Sequence, residues 1–210
     1  MPLILPSIYA ITGREQSLGR SAVTVAKDLV AAGIRILQYR EKHLSRKAML
    51  DECLAIREIT KESGCLFIVN DYVDIALICG ADGVHVGQDD LPVEAVRRIT
   101  PAKMLVGVSA STLEEARKGM ADGADYLGVG AIFATGTKTD AQVTGLDGLR
   151  EIVAASSVPV VAIGGINKAT LPEVLATGVR SCAMISALTS VPDIAAGVQE
   201  MHALFLDTLS

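Results

Sequence analysis

Short apolar runs alternate with longer amphipathic segments along the whole chain. Eight apolar runs have the length of buried strands: residues 8–12, 36–40, 66–70, 83–87, 104–109, 126–133, 159–164 and 181–187. The segments between them are rich in Ala, Leu, Glu and Lys and are typical of helices, as in residues 19–32, 45–63, 112–122 and 168–177. The pattern predicts eight strands and eight helices in alternation.

Several predicted helices end at a glycine shortly before the next strand. These glycines lie in residues 31–34 (AAGI), 79–84 (CGADGV), 121–126 (ADGADY) and 176–180 (ATGVR). Glycine adopts the left-handed backbone that ends a helix and returns the chain to the sheet. A unit of about 25 residues repeated eight times favours the α/β class and a closed (β/α)8 TIM barrel with parallel strands over an open sheet. No linker interrupts the repeat, so we expect residues 1–210 to form a single domain.

The composition predicts a core built from aliphatic side chains. Half of the residues are apolar, but only 3% are aromatic and Trp is absent, so Val, Ile, Leu and Ala are expected to fill the interior. The four cysteines form no Cys-x-x-Cys pair and are predicted to be buried thiols in a reducing compartment: Cys53, Cys65, Cys79 and Cys182.

The net charge of −5 argues against bulk attraction to nucleic acid or an anionic membrane, so any anion site has to be local. No stretch approaches the roughly 18 apolar residues of a membrane span, and no Lys or Arg precedes the first apolar run. We therefore expect a cytoplasmic protein with small-molecule partners and with neither nucleic-acid nor membrane partners. A homo-oligomer is an open alternative to a monomer.

The active site of such a barrel lies at the carboxyl ends of the strands. At the second predicted strand, Gln38, Arg40 and Lys42 occupy alternate positions and are expected to face the barrel mouth together. Lys138, in the loop after the sixth strand, adds a third cation. This concentration of positive charge indicates an anionic ligand.

Two acidic residues follow neighbouring strands. Asp71 comes after the third strand and Asp90 after the fourth, and carboxylates at adjacent strand ends suit a hard divalent ion such as Mg²⁺. With one Mg²⁺ the mouth keeps a net positive charge, which matches a diphosphate ester better than a neutral sugar. Each aspartate also has a structural alternative as a helix cap, because a helical pattern starts shortly after it.

A second anion site is indicated after the last two strands. A Gly-Gly pair ending at Gly165 follows the seventh strand, and Ile185 and Ser186 end the eighth. Loops at these positions frequently bind phosphate in barrels, because glycine lets backbone N–H groups approach the oxygens. Thr135 and Thr137 carry hydroxyl groups that are expected to assist.

Four other polar residues lie near the strand ends. Asn70 precedes Asp71, and Ser109 lies at the tip of the fifth strand. Ser111 begins a Ser-Thr-Leu-Glu sequence that predicts a capping box, so a structural role is preferred for it. His85 is interpreted as a hydrogen-bonded core histidine. P-loop, Gly-x-Ser-x-Gly and dinucleotide-binding motifs are absent from the sequence.

Seven segments occur in a characteristic order and spacing: YAIT, QYREK, VNDYVDIALICGADGVHVGQDDLP, GVSAST, GADYLGVGAIFATGTKTDA, VVAIGGI and MISAL. Together they resemble the thiamine-phosphate synthase family, also called thiamine-phosphate pyrophosphorylase, over nearly the whole chain. The Asn-Asp pair, the GVHVGQDDLP run and the Thr-Gly-Thr-Lys loop make the resemblance specific.

The resemblance implies a transferase of thiamine biosynthesis that joins hydroxymethylpyrimidine diphosphate to thiazole phosphate, or its carboxylated form, and releases pyrophosphate. In that family the diphosphate leaves first, and the thiazole nitrogen then attacks a pyrimidine carbocation. By position, Asp71 and Asp90 would bind Mg²⁺. The residues implied to bind the pyrimidine diphosphate are Gln38, Arg40, Lys42, Asn70, Ser109 and Lys138, with Arg40, Ser109 and Lys138 acting in catalysis. Those implied to bind the thiazole phosphate are Thr135, Thr137, Gly165, Ile185 and Ser186.

Two positions depart from the family pattern. Many relatives have His where Ser111 stands and Pro where Ala134 stands. The missing histidine disfavours the thiazole tautomerase activity of a sister subfamily. The presence of Asp71, Asp90 and Lys138 also favours the synthase over the tautomerase. The alternatives are a tautomerase-like or other phosphate-binding barrel enzyme, and a non-catalytic barrel that binds thiamine precursors.

Overall fold

The chain forms a closed barrel of eight parallel strands in a computed structural model that describes residues 3–134 and 143–209. The strands are β1 (Ile8–Ile11), β2 (Ile36–Tyr39), β3 (Leu66–Asn70), β4 (Gly83–Val86), β5 (Leu105–Ala110), β6 (Tyr126–Val129), β7 (Val160–Ile163) and β8 (Ser181–Met184). Each strand pairs with the next, and β8 pairs with β1. The predicted (β/α)8 fold is confirmed.

Helices surround the barrel. In the described residues they are a 3₁₀ turn (Arg14–Gln16), α1 (Ala22–Ala31), α2 (Arg46–Ser63), α3 (Val73–Cys79), α4 (Val93–Ile99), α5 (Leu113–Ala121), α6 (Gly145–Ala155), α7 (Leu171–Leu175), α8 (Ser186–Thr189) and α9 (Ile194–Leu209). The prediction of one helix per strand fails after β8, which is followed by both α8 and α9. None of the helices in the described ranges has the length and apolar character needed to cross a membrane.

The glycines at the helix ends have the conformation that the sequence predicts. Gly33, after α1, has φ +100°, and Gly178, after α7, has φ +95°. A side chain disfavours this left-handed region, so glycine permits the sharp return from helix to strand.

Two hydrophobic clusters stabilise the barrel. The larger one lies between the sheet and the helices, and the smaller one fills the barrel interior with side chains such as Ile36, Ile68 and Val161. Aliphatic residues dominate both clusters, as predicted, and all four cysteines are buried and free. The composition did not predict that the largest fully buried side chains include the interior tyrosines Tyr9 and Tyr126.

The sixth strand is shorter than predicted. It was expected to reach residue 133 but ends at Val129. The next residues run along the end of β7, where the Ile132 N–H donates to the Ile163 carbonyl at 3.0 Å. At Gly130 a Cβ atom would lie only 2.0 Å from that same carbonyl oxygen. This close backbone approach replaces the regular strand.

The predicted capping box is displaced by one residue. Thr112, not Ser111, is the N-cap of α5, and its hydroxyl accepts from the Glu115 N–H at 3.2 Å. The Glu115 carboxylate in turn accepts from the Ser111 N–H at 2.6 Å. The Ser111 hydroxyl donates to the Gly130 carbonyl at 3.0 Å. Ser111 therefore has a structural role that joins the ends of β5 and β6.

Candidate active site at the barrel mouth

The carboxyl ends of the parallel strands meet at one end of the barrel, here called the barrel mouth. The predicted site residues in the described part of the chain lie there: Gln38, Arg40 and Lys42 at β2, Asn70 and Asp71 at β3, Asp90 after β4, Ser109 on β5, Gly165 after β7, and Ile185 and Ser186 after β8. Thr135, Thr137 and Lys138 lie outside the described residues.

An ion pair joins the ends of β2 and β3. Lys42 Nζ lies 2.5 Å from Asp71 Oδ2, with the lysine side chain 45% exposed and the aspartate 12% exposed. Asp71 also lies within hydrogen-bond reach of the Asp90 carboxyl group. Burial raises the pKa of Asp71; the Lys42 ammonium opposes this effect and the Asp90 carboxyl adds to it. Two carboxylates and one cation therefore meet at the barrel mouth.

Asp71 has a backbone conformation that is unusual for a residue with a side chain. Its φ is +63°, and its N–H donates to the His85 carbonyl at 2.8 Å. The left-handed region costs an L-residue roughly 1–2 kcal/mol, and such strain is concentrated at functional sites. Helix α3 begins at Val73 with Tyr72 as its N-cap, so the capping alternative for Asp71 is not supported.

Asp90 closes the turn after β4. Its Oδ2 accepts the Gly87 N–H at 2.8 Å. Helix α4 begins at Val93 with Pro92 as its N-cap, so Asp90 is not the cap of that helix. The turn holds an exposed carboxylate beside Asp71.

The Asp71 and Asp90 carboxylates fit a magnesium ion. They are hard oxygen donors of like charge, and the raised pKa of Asp71 reflects the cost of ionising a buried carboxyl beside another. Among the described residues, no group of three or more His, Cys, Asp or Glu side chains is arranged to hold a metal. Mg²⁺ commonly takes one or two protein carboxylates and completes its shell with phosphate oxygens and water. These two aspartates suit that kind of site.

A buried carboxylate that the sequence analysis missed anchors the segment after β2. Glu41 is 5% exposed, and its Oε1 accepts the backbone N–H groups of Lys42 at 2.8 Å and His43 at 2.9 Å. Its Oε2 accepts from Arg14 Nε at 2.6 Å. Burial alone would raise the pKa of Glu41, but the bonds from Arg14 and the backbone lower it overall. Glu41 thus stays ionised and fixes the backbone that carries Lys42. Its only signal in the sequence is its position between two cations.

The loop after β7 depends on close backbone contacts. Gly165 has φ +69°, and a Cβ atom there would lie 2.7 Å from Phe133 Cβ. The Gly165 carbonyl accepts from Asn167 Nδ2 at 3.2 Å and from Thr170 Oγ1 at 3.0 Å, which ties the loop to the start of α7. This position therefore requires glycine, because a side chain would collide with the segment after β6.

The turn after β8 is held through the Ile185 carbonyl. The Leu188 N–H and the Thr189 hydroxyl each donate to it at 3.0 Å. Ile185 is the N-cap of the short helix α8, which starts at Ser186. Gly13 leaves room for the Ile185 side chain, since a Cβ atom at Gly13 would lie 2.6 Å from Ile185 Cγ2. Hydrogen bonds thus tie each of the two loops to the helix that follows it.

A chain of hydrogen bonds crosses the barrel interior. It runs from Gln38 Nε2 to Tyr9 Oη at 2.9 Å, to Tyr126 Oη at 2.9 Å, to His85 Nδ1 at 3.2 Å, and from His85 Nε2 to Ser109 Oγ at 3.0 Å. The interpretation of His85 as a hydrogen-bonded core histidine is confirmed, with the residue 8% exposed. Nothing in the sequence indicates that the two tyrosines connect two predicted site residues, because both tyrosines lie within apolar strand patterns.

The chain is similar to named proteins over nearly its full length. A family model described as thiamine monophosphate synthase matches residues 8–188. The thiamine-phosphate synthase of Chloroflexus aurantiacus is 48% identical over 198 residues, which cover 94% of this chain and 91% of the relative. That of Lawsonia intracellularis is 43% identical over 213 residues and 98% of each chain. A solved structure of thiamine phosphate pyrophosphorylase from Pyrococcus furiosus has a TM-score of 0.90 and 39% identity, covering 97% of both chains.

Proposed function

Because the chain belongs to the thiamine monophosphate synthase family, we propose that its barrel mouth joins hydroxymethylpyrimidine diphosphate to thiazole phosphate, or its carboxylated form. The products are thiamine phosphate and pyrophosphate, so the protein is a transferase with small-molecule substrates. The observation that carries the proposal is the meeting of Lys42, Asp71 and Asp90 at the barrel mouth, where a cation and two carboxylates suit a metal-bound diphosphate.

The pyrimidine diphosphate is assigned to the wall formed by β2 to β5. Arg40 and Lys42 follow β2, and Lys42 is exposed enough to exchange its bond to Asp71 for one to a diphosphate oxygen. Lys138 is assigned to the same anion from the sequence pattern alone. The side chains assigned to orient the pyrimidine are Gln38, Asn70 and Ser109.

Asp71 and Asp90 are assigned to hold Mg²⁺. When bound there, the ion would neutralise negative charge on the diphosphate and lower the barrier to its departure. This assignment is supported by the two adjacent oxygen donors and by the strained backbone that presents Asp71.

The phosphate of the thiazole substrate is assigned to the loops after β7 and β8. Gly165, Ile185 and Ser186 are assigned to it through their backbone N–H groups and the Ser186 hydroxyl, and Thr135 and Thr137 are assigned to the same phosphate from the sequence. Because β7 and β8 lie across the barrel from β3 and β4, the two anionic groups are held apart with the reacting carbon and nitrogen between them.

The proposed reaction starts with departure of the diphosphate. Arg40, Lys42 and Lys138 stabilise the negative charge that develops on the leaving group. The thiazole nitrogen then attacks the pyrimidine carbocation with its own lone pair, so no general base is required. Burial raises the pKa of Tyr9 and of Tyr126, which keeps both interior tyrosines protonated and unable to act as bases.

The comparisons do not favour the tautomerase-like, other phosphate-binding or non-catalytic alternatives. We place the reaction in the cytoplasm and treat residues 1–210 as one domain. Closure of the sheet by pairing of the first strand with the last supports the single domain.

The test is turnover with purified precursors. The protein, both substrates and Mg²⁺ should yield equal amounts of thiamine phosphate and pyrophosphate, and removal of Mg²⁺ with a chelator should stop the reaction. Binding of both precursors without pyrophosphate release would favour the non-catalytic alternative. Conversion of the thiazole phosphate alone to an isomer would favour the tautomerase.

A further inference from the structure

The five-residue hydrogen-bond chain in the barrel interior joins five different strands. Its members are Gln38 on β2, Tyr9 on β1, Tyr126 on β6, His85 on β4 and Ser109 on β5. Only the two end residues are assigned to the substrate. The three in the middle therefore need a separate explanation.

The barrel leaves space for the chain at two glycines. A Cβ atom at Gly107 on β5 would lie 2.2 Å from Tyr126 Cζ and 2.5 Å from His85 Nδ1. A Cβ atom at Gly128 on β6 would lie 2.8 Å from His85 Cε1. Any side chain at either position would displace the imidazole or the phenol. The interior is thus shaped around the two rings.

Protons are limited in this chain. Gln38, Tyr9, Tyr126 and His85 are each at least nine-tenths buried, and in the described part of the protein no buried side-chain nitrogen or oxygen lacks a hydrogen-bond partner. Each tyrosine has one hydroxyl proton to donate. A neutral imidazole has one donor and one acceptor nitrogen, so the His85 bonds to Tyr126 and to Ser109 are correlated.

These limits give the chain a direction. Gln38 Nε2 donates to Tyr9, so the Tyr9 proton is left for Tyr126, and the Tyr126 proton for His85 Nδ1. His85 then carries its proton on Nε2 and donates it to Ser109 Oγ. The hydroxyl proton of Ser109 is left outside the chain and free to be donated towards the barrel mouth.

We propose that Tyr126 and His85 are positioning residues that fix the Ser109 hydroxyl as a hydrogen-bond donor to the pyrimidine diphosphate and couple it to Gln38 across the barrel. The identity of that ligand rests on the proposed function. The coupling itself follows from the chain and has a readout that needs no substrate.

The first experiment measures the His85 tautomer by ¹⁵N NMR of the imidazole nitrogens, without substrates. In the wild-type protein Nε2 should carry the proton and Nδ1 should be an acceptor. Tyr126→Phe, which removes one buried hydroxyl, should shift the ring towards a mixture of tautomers. Tyr39→Phe is the matched control, because its buried hydroxyl bonds Glu52 at 2.7 Å outside the barrel interior. It should leave the His85 signals unchanged.

A proton on Nδ1 in the wild-type protein, or unchanged His85 signals in Tyr126→Phe, would overturn the proposed direction. Neither result depends on whether the protein makes thiamine phosphate. If the NMR result holds and turnover is absent, the proposed function fails while the chain stands.

The second experiment tests the coupling through kcat/KM for the pyrimidine diphosphate. Gln38→Met and Ser109→Ala should each lower kcat/KM. The loss in the double variant should be smaller than the product of the two single losses, by a factor of about three or more. In a Tyr126→Phe background, the two losses should multiply. If the two losses multiply both in the wild-type and in the Tyr126→Phe background, the hydrogen-bond chain does not couple Gln38 to Ser109 and the proposal is wrong. Tyr126→Phe alone should lower kcat by roughly tenfold.

Discussion

Two walls of the barrel mouth are built in different ways. The side-chain wall, formed by Arg40, Lys42, Asp71 and Asp90 after β2 to β4, consists of charged groups, of which Lys42, Asp71 and Asp90 interact with one another. The backbone wall, formed by residues 164–165 and 185–186 after β7 and β8, consists of two glycines, Ile185 and Ser186, with backbone carbonyl groups tied to the following helices. The first should respond to charge and pH, and the second to steric change.

The difference matches the two anions of the proposed reaction. A diphosphate that departs during the reaction gains negative charge, which preorganised cations and a metal stabilise. A phosphate that only anchors its substrate keeps its charge through the reaction, so backbone N–H groups are sufficient to hold it. Variants that change charge on one wall and shape on the other should therefore affect different substrates.

Removal of a cation from the side-chain wall should have the largest effect. Arg40→Ala is expected to lower kcat by on the order of 10²-fold or more, as for loss of one preorganised donor. Lys138→Ala is expected to do the same. Steady-state kinetics with circular dichroism as a folding check will measure this. Arg98→Ala, an exposed change on α4, is the control and should keep wild-type turnover. A kcat of Arg40→Ala close to that of the wild type would contradict the assignment of the diphosphate to the side-chain wall.

Asp71→Asn should raise the Mg²⁺ concentration needed for half-maximal activity by roughly tenfold or more. Asn tolerates the left-handed backbone at this position, so the change removes charge with little strain. Because protons compete with the metal for a carboxylate of raised pKa, Mg²⁺ affinity should weaken as the pH falls through that pKa. An unchanged metal titration would leave Asp71 without a metal-binding role.

The same substitution should stabilise the metal-free protein. The raised pKa means that the folded state favours protonated Asp71, a contribution that is complete below the ordinary aspartate pKa and is lost as the pH rises through the raised value. At neutral pH the neutral Asn side chain should therefore increase the free energy of unfolding. Urea unfolding with chelator present will measure it, and a loss of stability would contradict the stated balance of charges.

Gly165→Ala tests the backbone wall. We expect KM for the thiazole phosphate to rise by about tenfold, because strain of roughly 1–2 kcal/mol falls on the loop that binds it. KM for the pyrimidine diphosphate should stay within twofold or so of wild type. Gly33→Ala is the matched control, since Gly33 also has positive φ but lies in open space away from the mouth. Gly33→Ala should lower stability without changing KM for the thiazole phosphate. An equal rise of that KM in both variants would contradict the assignment of Gly165 to the phosphate site.

Glu41→Gln should have the smallest effect on turnover. Loss of one ionised anchor should raise KM for the pyrimidine diphosphate only a few-fold, because Glu41 acts through the backbone that carries Lys42. The lowered pKa of Glu41 gives the wild type a stability that is present above the ordinary glutamate pKa and lost as the pH falls through the lowered one. Acid unfolding should therefore be shallower in the variant. If stability falls equally with decreasing pH in the wild type and in Glu41→Gln, Glu41 is not a stabilising anchor.

The side-chain wall was the easier of the two to predict from the sequence. Strand periodicity and the glycines at the helix ends predict the barrel, and the charged residues that directly follow strands can then be assigned to the barrel mouth. Glu41 and the interior chain could not be predicted, because their roles depend on partners far away in sequence: Tyr9 and Tyr126 are 117 residues apart. Their hydroxyls are polar groups within apolar strand patterns, so periodicity gives only their burial.

The assignment of the diphosphate to the side-chain wall can be tested by calorimetric titration of inorganic pyrophosphate into the wild-type protein, Asp71→Asn and Gly165→Ala, each with and without Mg²⁺. Binding to the wild type should depend on Mg²⁺, that dependence should be lost in Asp71→Asn, and Gly165→Ala should bind like the wild type. Pyrophosphate binding that is independent of Mg²⁺ and is weakened by Gly165→Ala but not by Asp71→Asn would place the diphosphate on the opposite wall and contradict this assignment.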